Sequence, residues 1–288
     1  MPQAVRIIEP VTAPRGVVFG SPHSGRHYSD AFLASVQIDA LTLRSSEDAF
    51  VDLLLADVPH QGGAMITTDV PRAYVDMNRA DTELDPLLVD GAPRGGLNPR
   101  VGAGLGVVPR VVAGGRPIYA DRLTLAEARH RVQTCWRPYH QELGGLLGGY
   151  RRRFGKALLF DVHSMPSDAV QSRLIRNRAR PDIILGDRHG ASCGPDITAA
   201  AEAVFRDAGL RVARNAPFAG AYIVQRHGQP ARGQHALQIE IDRGLYLDER
   251  RITLAPDFGA FQALMSDVTA ALIALGAADG GAMPLAAE

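Results

Sequence analysis

The stretch that decides the fold is ALLFDVHS, residues 157–164, in which an almost wholly apolar run ends in two polar residues. A run of this length is short for a helix and predicts a buried strand over residues 157–162. The runs Val17–Ser21 and Leu237–Ile241 are similar and predict two more buried strands. Segments with helical spacing lie between these runs, and strands that alternate with helices indicate an α/β fold with a largely parallel sheet.

The rest of the chain continues this alternation. Short strands are predicted at Ala64–Thr67, Tyr74–Met77, Asp182–Leu185 and Ala221–Val224. Helices are predicted from Phe50 to Val58 with Ser45 or Ser46 as the cap, from Thr124 to Tyr150, from Asp196 to Ala208 and from Phe258 to Leu275. Thr124 has Glu127 as its capping-box partner, and Pro138 should kink or split the helix that follows. We therefore expect a single domain over residues 1–288, a three-layer α/β/α sandwich with a mixed, largely parallel central sheet.

The segment 91–115 interrupts the alternation, because it contains eight Gly and three Pro in 25 residues. Structureless segments of that length are uncommon inside a domain and often serve as lids over a site. A passive surface insertion is the alternative interpretation. The run Gly102-Ala103-Gly104-Leu105-Gly106 lacks the spacing of a nucleotide-binding loop, and Pro109 follows where a helix should run. The segment is therefore predicted to be a lid or a passive insertion, without a nucleotide loop.

The composition is that of a soluble globular protein. Thirty-one Lys plus Arg balance 31 Asp plus Glu, which argues against a nucleic-acid partner. No apolar stretch reaches the roughly 18 residues that a membrane span needs, and no signal peptide is evident. The two cysteines, Cys135 and Cys193, lie far apart and are expected to be reduced thiols. We therefore expect a cytoplasmic protein without a membrane partner, and the sequence leaves its oligomeric state open.

Polar residues at the ends of the buried strands are candidates for a functional site, since α/β folds build their sites there. His23 follows the first strand, His163 follows the strand quoted above, and Glu240 lies within the last one. Asp48, or its neighbour Glu47, opens a helix. Two histidines and a carboxylate typically bind a catalytic zinc ion, and a second carboxylate would then be the general base. The structural alternatives are hydrogen-bonded histidines, an ion pair between Glu240 and an arginine, and a carboxylate that stabilises a helix N-terminus.

Arginines form a second group of candidates. Arg79 follows Asp76-Met77-Asn78, and Arg173 lies ten residues beyond His163. A guanidinium group binds a carboxylate through two parallel hydrogen bonds, so these residues indicate an acidic substrate. An ordinary structural salt bridge is the alternative for either arginine.

Several short segments, in order over roughly residues 15–270, carry a resemblance to a known family. They are Ser21–Gly25, Asp48 with Val51-Asp52, Val75–Arg79, Pro117–Tyr119, Phe160–Ser164, Pro181–Ile183, Gly190–Cys193, Phe218–Gly220, Arg226–Gly228, His235–Glu240 and Tyr246–Glu249. Together they resemble the N-formylglutamate amidohydrolase family, which is similar to the zinc carboxypeptidases and the aspartoacylase-type deacylases. The resemblance implies a zinc-carboxypeptidase-like fold.

The resemblance also implies a metal site. His23, Asp48 and His163 would hold Zn²⁺, or another divalent ion such as Co²⁺, with Glu47 as the alternative to Asp48. The related enzymes have a His-x-x-Glu pair, whereas Arg26 stands three residues after His23 in this chain. Asp48 would therefore have to supply the missing carboxylate.

The other candidates take their roles from the same resemblance. Glu240 would be the general base, and Asn78, Arg79 and Arg173 would bind the carboxylates of the substrate. His227 and His235 would serve near the metal or at the oxyanion, with structural roles as the alternative.

The implied activity is the hydrolysis of N-formyl-L-glutamate to formate and L-glutamate, at the end of histidine degradation. The first alternative is a zinc-dependent deacylase or carboxypeptidase-like hydrolase of another N-acyl amino acid or peptide. The second belongs to another class, a metal-free binding protein on the same fold. A serine nucleophile is not indicated, because no GxSxG motif is present.

Overall fold

The computed structural model describes residues 3–93, 98–169 and 180–277. The chain forms two units whose segments alternate along the sequence. Unit 1 consists of Met1–Arg6, Pro22–Ala49 and Thr67–Glu142. Unit 2 consists of Ile7–Ser21, Phe50–Ile66 and Leu143–Glu288. A single domain over residues 1–288 stays a prediction.

The strands are short except for two of nine residues each. In chain order they are β1 Arg6–Ile8, β2 Val17–Ser21, β3 Ala64–Thr67, β4 Val89–Asp90, β5 Val111–Val112, β6 Arg116–Pro117, β7 Leu123–Thr124, β8 Ala157–Met165, β9 Ile183–Gly186, β10 Val212–Arg214, β11 Gln234–Asp242, β12 Leu247–Asp248 and β13 Thr253–Leu254.

The α-helices range from single turns to twenty residues. They are α1 Asp30–Ser35, α2 Ala40–Arg44, α3 Val51–Leu54, α4 Pro99–Gly102, α5 Leu125–Arg131, α6 Arg137–Phe154, α7 Pro195–Asp207, α8 Tyr222–His227 and α9 Phe258–Ala277. Short 3₁₀ turns lie at Val58–Gln61, Ala113–Gly115, Pro230–Arg232 and Arg243–Leu245.

Unit 2 is built around a mixed sheet that has seven strands among the described residues, in the order β1-β3-β2-β8-β11-β9-β10. The neighbours β2, β8 and β11 are parallel, whereas β9 runs antiparallel to β11. Every residue of β2 and β8 is buried, as their apolar runs predict. The predicted α/β fold with a mixed, largely parallel sheet is confirmed. Because parallel strands end at the same edge, the carboxyl ends of β2, β8 and β11 meet there.

Three predicted elements are wrong in kind or length. The residues Tyr74–Met77 form turns, because the Asp76 carboxylate accepts a hydrogen bond from the Asn78 N–H at 2.8 Å and folds the chain back. Ala221–Val224 belongs to the start of α8, since a short apolar run fits a strand or a helix equally well. The helix predicted from Phe50 is only four residues long and follows a left-handed Phe50 with φ of 64°.

Two details of the predicted helices also differ. Ser45 ends α2, with its N–H donating to the Thr42 carbonyl, and so does not cap the next helix. Thr124 does cap α5, where its hydroxyl accepts from the Glu127 N–H at 3.1 Å, but the Glu127 side chain binds Arg131. A π-helical stretch, Val132–Trp136, separates α5 from α6 just before Pro138. A proline cannot donate to the preceding turn, so the predicted split occurs as a change of helical pitch.

The Gly- and Pro-rich segment is more regular than predicted. Outside residues 94–97, which are not described, it contains α4, β5 and a 3₁₀ turn. Val101, Val107 and Val112 are each at most 3% exposed. The described part of the segment therefore contributes to the core of unit 1.

In contrast to the expectation from the sequence, one stretch, Phe258–Gly276 in α9, is long and apolar enough to cross a membrane by length and composition alone. Core helices of soluble proteins pass the same test. The helix packs on α3 and α7 within unit 2. Its Gln262 donates to the Leu53 carbonyl at 2.8 Å, and Ser266 accepts from the Gln61 side chain at 2.9 Å. These contacts are those of a helix packed within its own unit.

Both cysteines are free thiols, as predicted. Cys193 is fully buried, and burial raises the pKa of its thiol to about 12. A thiol with so high a pKa is a packing residue rather than a nucleophile.

Candidate metal and substrate site

His23, Asp48 and His163 form a group that could hold a metal ion. Each offers one ligand atom, these atoms all lie within 4.8 Å of one another, and all three residues are buried. His23 comes two residues after the end of β2, and His163 lies inside β8, which extends to Met165 rather than ending before the histidine. The Asp48 N–H donates to the His23 carbonyl at 3.0 Å, so two residues far apart in sequence become neighbours. The three predicted ligands are thus candidates for one metal site, which stays a prediction.

The His23 ring lies between two carboxylates. Its Nδ1 is 3.2 Å from Asp48 Oδ2, and its Nε2 is 2.8 Å from Asp76 Oδ1. Burial raises the pKa of Asp76, but the charges of Arg72, His23 and Arg79 outweigh this effect and hold the pKa well below its usual range. An ionised Asp76 can only accept, so this carboxylate is suited to a hydrogen bond from His23 Nε2.

The loop that carries His23 depends on a close backbone approach. A Cβ atom on Gly25 would lie 2.2 Å from the Val70 carbonyl oxygen, so only glycine fits there. The His27 N–H also donates to the Asp69 carbonyl at 3.0 Å. These contacts fix the Pro-His-Ser-Gly loop against residues 69–70 and thereby fix the position of His23.

Glu47 has a structural role that distinguishes it from Asp48. Its carboxylate accepts from the Tyr28 hydroxyl at 2.6 Å and from Arg44 Nε at 3.0 Å. Burial raises the pKa of Tyr28, and the charge of Glu47 raises it further, so the tyrosine remains a donor. Because Glu47 is held by a tyrosine and an arginine, these contacts favour Asp48 as the candidate ligand.

Glu240 lies beside His163 in the sheet of unit 2. The two residues are register partners on the parallel strands β11 and β8, so their side chains point to the same face. Gln238, two residues earlier on that face, donates from Nε2 to Glu240 Oε1 at 2.7 Å. Its Oε1 accepts from the Ala221 N–H at 2.9 Å, which fixes the orientation of the amide. Glu240 is 8% exposed and is held as a hydrogen-bond acceptor.

Asp161 is the second carboxylate beside His163. It is fully buried, and its Oδ2 lies 3.0 Å from His163 Nε2. Neither of its oxygens has a hydrogen bond of good geometry among the described residues. No role was predicted for Asp161, although its place two residues before His163 puts it on the same face of the strand.

Arg79 is a buried cation in unit 1, only 6% exposed. Its Nε donates to the Leu105 carbonyl at 2.9 Å, and its Nη1 donates to the Asn78 carbonyl at 2.8 Å. Within the described ranges no carboxylate lies within 4.0 Å of its guanidinium and Nη2 has no hydrogen-bond partner. Burial lowers the pKa of Arg79, and the nearby charge of Asp76 opposes that effect. A buried guanidinium of this kind is suited to an anionic ligand.

The remaining candidates do not join this group. Arg173 lies outside the described residues. His235 is at the amino end of β11, where its Nδ1 accepts from the Gly194 N–H at 3.1 Å. His227 lies beside the same end, since its carbonyl accepts from the Gln234 side chain at 2.7 Å. Gln234 is six residues, or about 20 Å of strand, from Glu240, so the structure gives both histidines a place away from Glu240.

The chain belongs to a class of hydrolases that act on a linear amide bond. A family model described as N-formylglutamate amidohydrolase matches residues 15–247. The chain is therefore a member of the N-formylglutamate amidohydrolase family, and the resemblance that the sequence motifs predict is confirmed.

Relatives of nearly equal length support this assignment. The chain is 29% identical over 266 residues to an N-formylglutamate deformylase of Pseudomonas putida, covering 91% of this chain and 93% of that protein. It is 31% identical over 260 residues to an N-formylglutamate deformylase of Pseudomonas aeruginosa, covering 89% of each. The solved structure of N-formylglutamate amidohydrolase from Ralstonia eutropha JMP134 is similar with a TM-score of 0.86 and 33% identity, covering 94% of this chain and 96% of that one.

Proposed function

We propose that this protein is a metal-dependent amidohydrolase that cleaves N-formyl-L-glutamate to formate and L-glutamate. The observation that carries the proposal is the buried group of His23, Asp48 and His163, whose ligand atoms lie within 4.8 Å of one another. Membership of the family supports the choice of substrate. We further propose that the protein acts in the cytoplasm, at the end of histidine degradation.

The residues of this group suit a divalent ion. Two imidazoles and a carboxylate are a common ligand set for zinc, and cobalt suits the same mixed donors. The two buried oxygens of Asp161 next to His163 support the fit, because an uncompensated buried carboxylate is costly unless positive charge is nearby. A bound metal would lower the pKa of a water molecule and polarise the formyl carbonyl.

Glu240 is proposed as the general base, which takes the proton of the attacking water and returns it to the leaving nitrogen. Its support is its place beside His163 and its hydrogen bond from Gln238. An acceptor held on the same face as a metal ligand is suited to receive a proton there.

Arg79 is proposed to bind a carboxylate of the substrate, with Asn78 and Arg173 as further contacts. Its support is the buried guanidinium without a carboxylate partner among the described residues. A small acidic N-acyl amino acid supplies the missing anion. His227 and His235 are proposed as structural residues, because their described contacts lie at the amino end of β11.

The test is formate release from N-formyl-L-glutamate by metal-stripped protein, with and without added Zn²⁺ or Co²⁺. We expect release that depends on the metal and that the variant His163→Ala lacks, with its metal content measured directly. His235→Ala is the matched control and should keep both metal and activity. Bound metal without formate release would favour a deacylase or peptidase of another substrate, and absence of stoichiometric metal binding would favour a binding protein.

A further inference from the structure

The Gly-rich segment 98–110 packs directly against the stretch that carries Arg79. The Asp76 N–H donates to the Val107 carbonyl at 2.8 Å, and the Val107 N–H donates to the Glu83 carbonyl at 2.8 Å. The Asn98 side chain, which caps α4, also donates to the Glu83 carboxylate. Val107 is fully buried. The segment is therefore tied to residues 76–83 by main-chain hydrogen bonds on both sides of Arg79.

Gly106 is the residue that permits this close packing. A Cβ atom at position 106 would lie 2.4 Å from the Glu83 carbonyl oxygen, a main-chain atom that cannot turn aside. The φ angle of Gly106 lies outside the left-handed region, so glycine is needed there for space rather than for conformation. At Gly102, in the same segment, a Cβ atom would meet nothing within 4 Å. The two glycines form a matched pair for substitution.

The neighbour of Gly106 holds the guanidinium of Arg79. The Leu105 carbonyl accepts from Nε and the Asn78 carbonyl accepts from Nη1, so the plane of the group is fixed by two main-chain acceptors. Nη2 is the nitrogen left for a ligand among the described residues. Any displacement of the Leu105 carbonyl would rotate the guanidinium and change the direction in which Nη2 points.

We propose that segment 98–110 is a fixed wall of the substrate site, in which Gly106 acts as a positioning residue that lets the Leu105 carbonyl aim Arg79 at a substrate carboxylate. This inference rests on the proposed function, because it takes Arg79 as the residue that binds the acidic substrate. The inference also explains why the segment is rich in glycine without making it a lid, because Gly106 permits a close contact and does not serve as a hinge.

The test compares Gly106→Ala with Gly102→Ala. In Gly106→Ala we expect the KM for N-formyl-L-glutamate to rise about tenfold or more while kcat stays within about threefold, because the charged contact from Nη2 is lost through small misplacement. Gly102→Ala should leave both constants within about twofold. A KM for Gly106→Ala equal to that of the wild type, in a folded variant, overturns the proposal.

A double-mutant cycle with Arg79→Lys tests the route of the effect. If Gly106 acts through Arg79, Gly106→Ala should change KM by less than about twofold in the Arg79→Lys background. An undiminished rise of KM in that background would mean that Gly106 acts elsewhere, and the proposal would be wrong. Should Gly106→Ala fail to fold, Asn98→Ala decides. Asn98→Ala removes the hydrogen bond to Glu83 and so loosens the same segment. An unchanged KM in this variant would refute the proposal that the segment is a fixed wall.

Failure of the proposed function has a different signature. In that case the wild type itself releases no formate with any divalent metal. Calorimetry of L-glutamate binding to the same variants then measures, without catalysis, how the segment affects ligand affinity. Weaker binding by Gly106→Ala than by Gly102→Ala supports the wall, and equal binding refutes it.

Discussion

Replacement of Gln238 by methionine should impair catalysis while leaving the fold and the metal in place. Gln238 donates to Glu240 Oε1 at 2.7 Å and is itself oriented by the Ala221 N–H. A buried hydrogen bond to a charged group contributes about 1.5–3 kcal/mol. That energy favours the held orientation of the carboxylate by about 10- to 100-fold over others. Since a misplaced base takes a proton poorly, we expect kcat to fall about tenfold or more with KM little changed.

The strand provides its own control in Gln234→Met. Gln234 is on β11 as well, is buried, and donates to the His227 carbonyl at 2.7 Å. Both variants lose a buried hydrogen bond, so both should lower the thermal midpoint by several degrees, from a loss of about 1–3 kcal/mol. Formate release and metal content are measured for each. The reasoning is refuted if Gln238→Met retains the wild-type kcat, or if Gln234→Met loses as much of it.

Further predictions concern the ligand choice and the stability of the fold. Asp48→Asn should weaken zinc binding at least about tenfold by equilibrium dialysis, whereas Glu47→Gln should keep the metal but lower the thermal midpoint; the reverse pattern would exchange their roles. Gly145→Ala should stabilise the protein by about 0.5–1 kcal/mol, because this exposed position inside α6 leaves a Cβ in open space, and a lower midpoint would contradict this. Burial raises the pKa of Asp182, but hydrogen bonds from Arg211 outweigh it and lower the pKa. A carboxylate whose pKa is lowered in the folded state stabilises the fold above its ordinary pKa of about 4, and this stabilisation is lost as the pH falls below that value. The midpoint of Asp182→Asn should therefore fall less than that of the wild type between about pH 5 and 3, and parallel curves would contradict this.

The strands and helices with strong local patterns were predictable from sequence. The apolar runs of β2 and β8 and the helical period of α7 specify their structure through burial, which acts on each residue in place. The errors fall where a side chain competes with the backbone or where a run is too short. Asp76 forms a turn in place of a strand, and the four-residue run at Ala221 begins a helix.

The two candidate histidines were predictable because strand ends share an edge, whereas Asp48 was chosen through the family resemblance and the contacts that support these residues were not predictable. The link from His23 to Asp76 joins residues 53 positions apart, which no local pattern reveals. The position of His235 could have been inferred from the strand alone. His235 lies five residues before Glu240 on the same strand, so it is at the opposite edge of the sheet, about 17 Å away.

The partners of the buried carboxylates distinguish Glu47 and Asp85, which build the fold, from Asp161, which points to a cation. Glu47 has Arg44 at 3.0 Å and Asp85 has Arg110 at 2.7 Å, so each charge is balanced inside its own unit. For Asp161 the charged side chain within 4.0 Å, among the residues described, is His163 alone. An imidazole balances a carboxylate only when it is protonated, and a protonated ring offers no lone pair to a metal. If His163 is a ligand, a metal bound to it would place positive charge near Asp161. Asp161 therefore destabilises the metal-free protein and stabilises the metal-bound protein. Because Asp161 and His163 both lie on the buried strand β8, metal affinity depends on the packing of that strand.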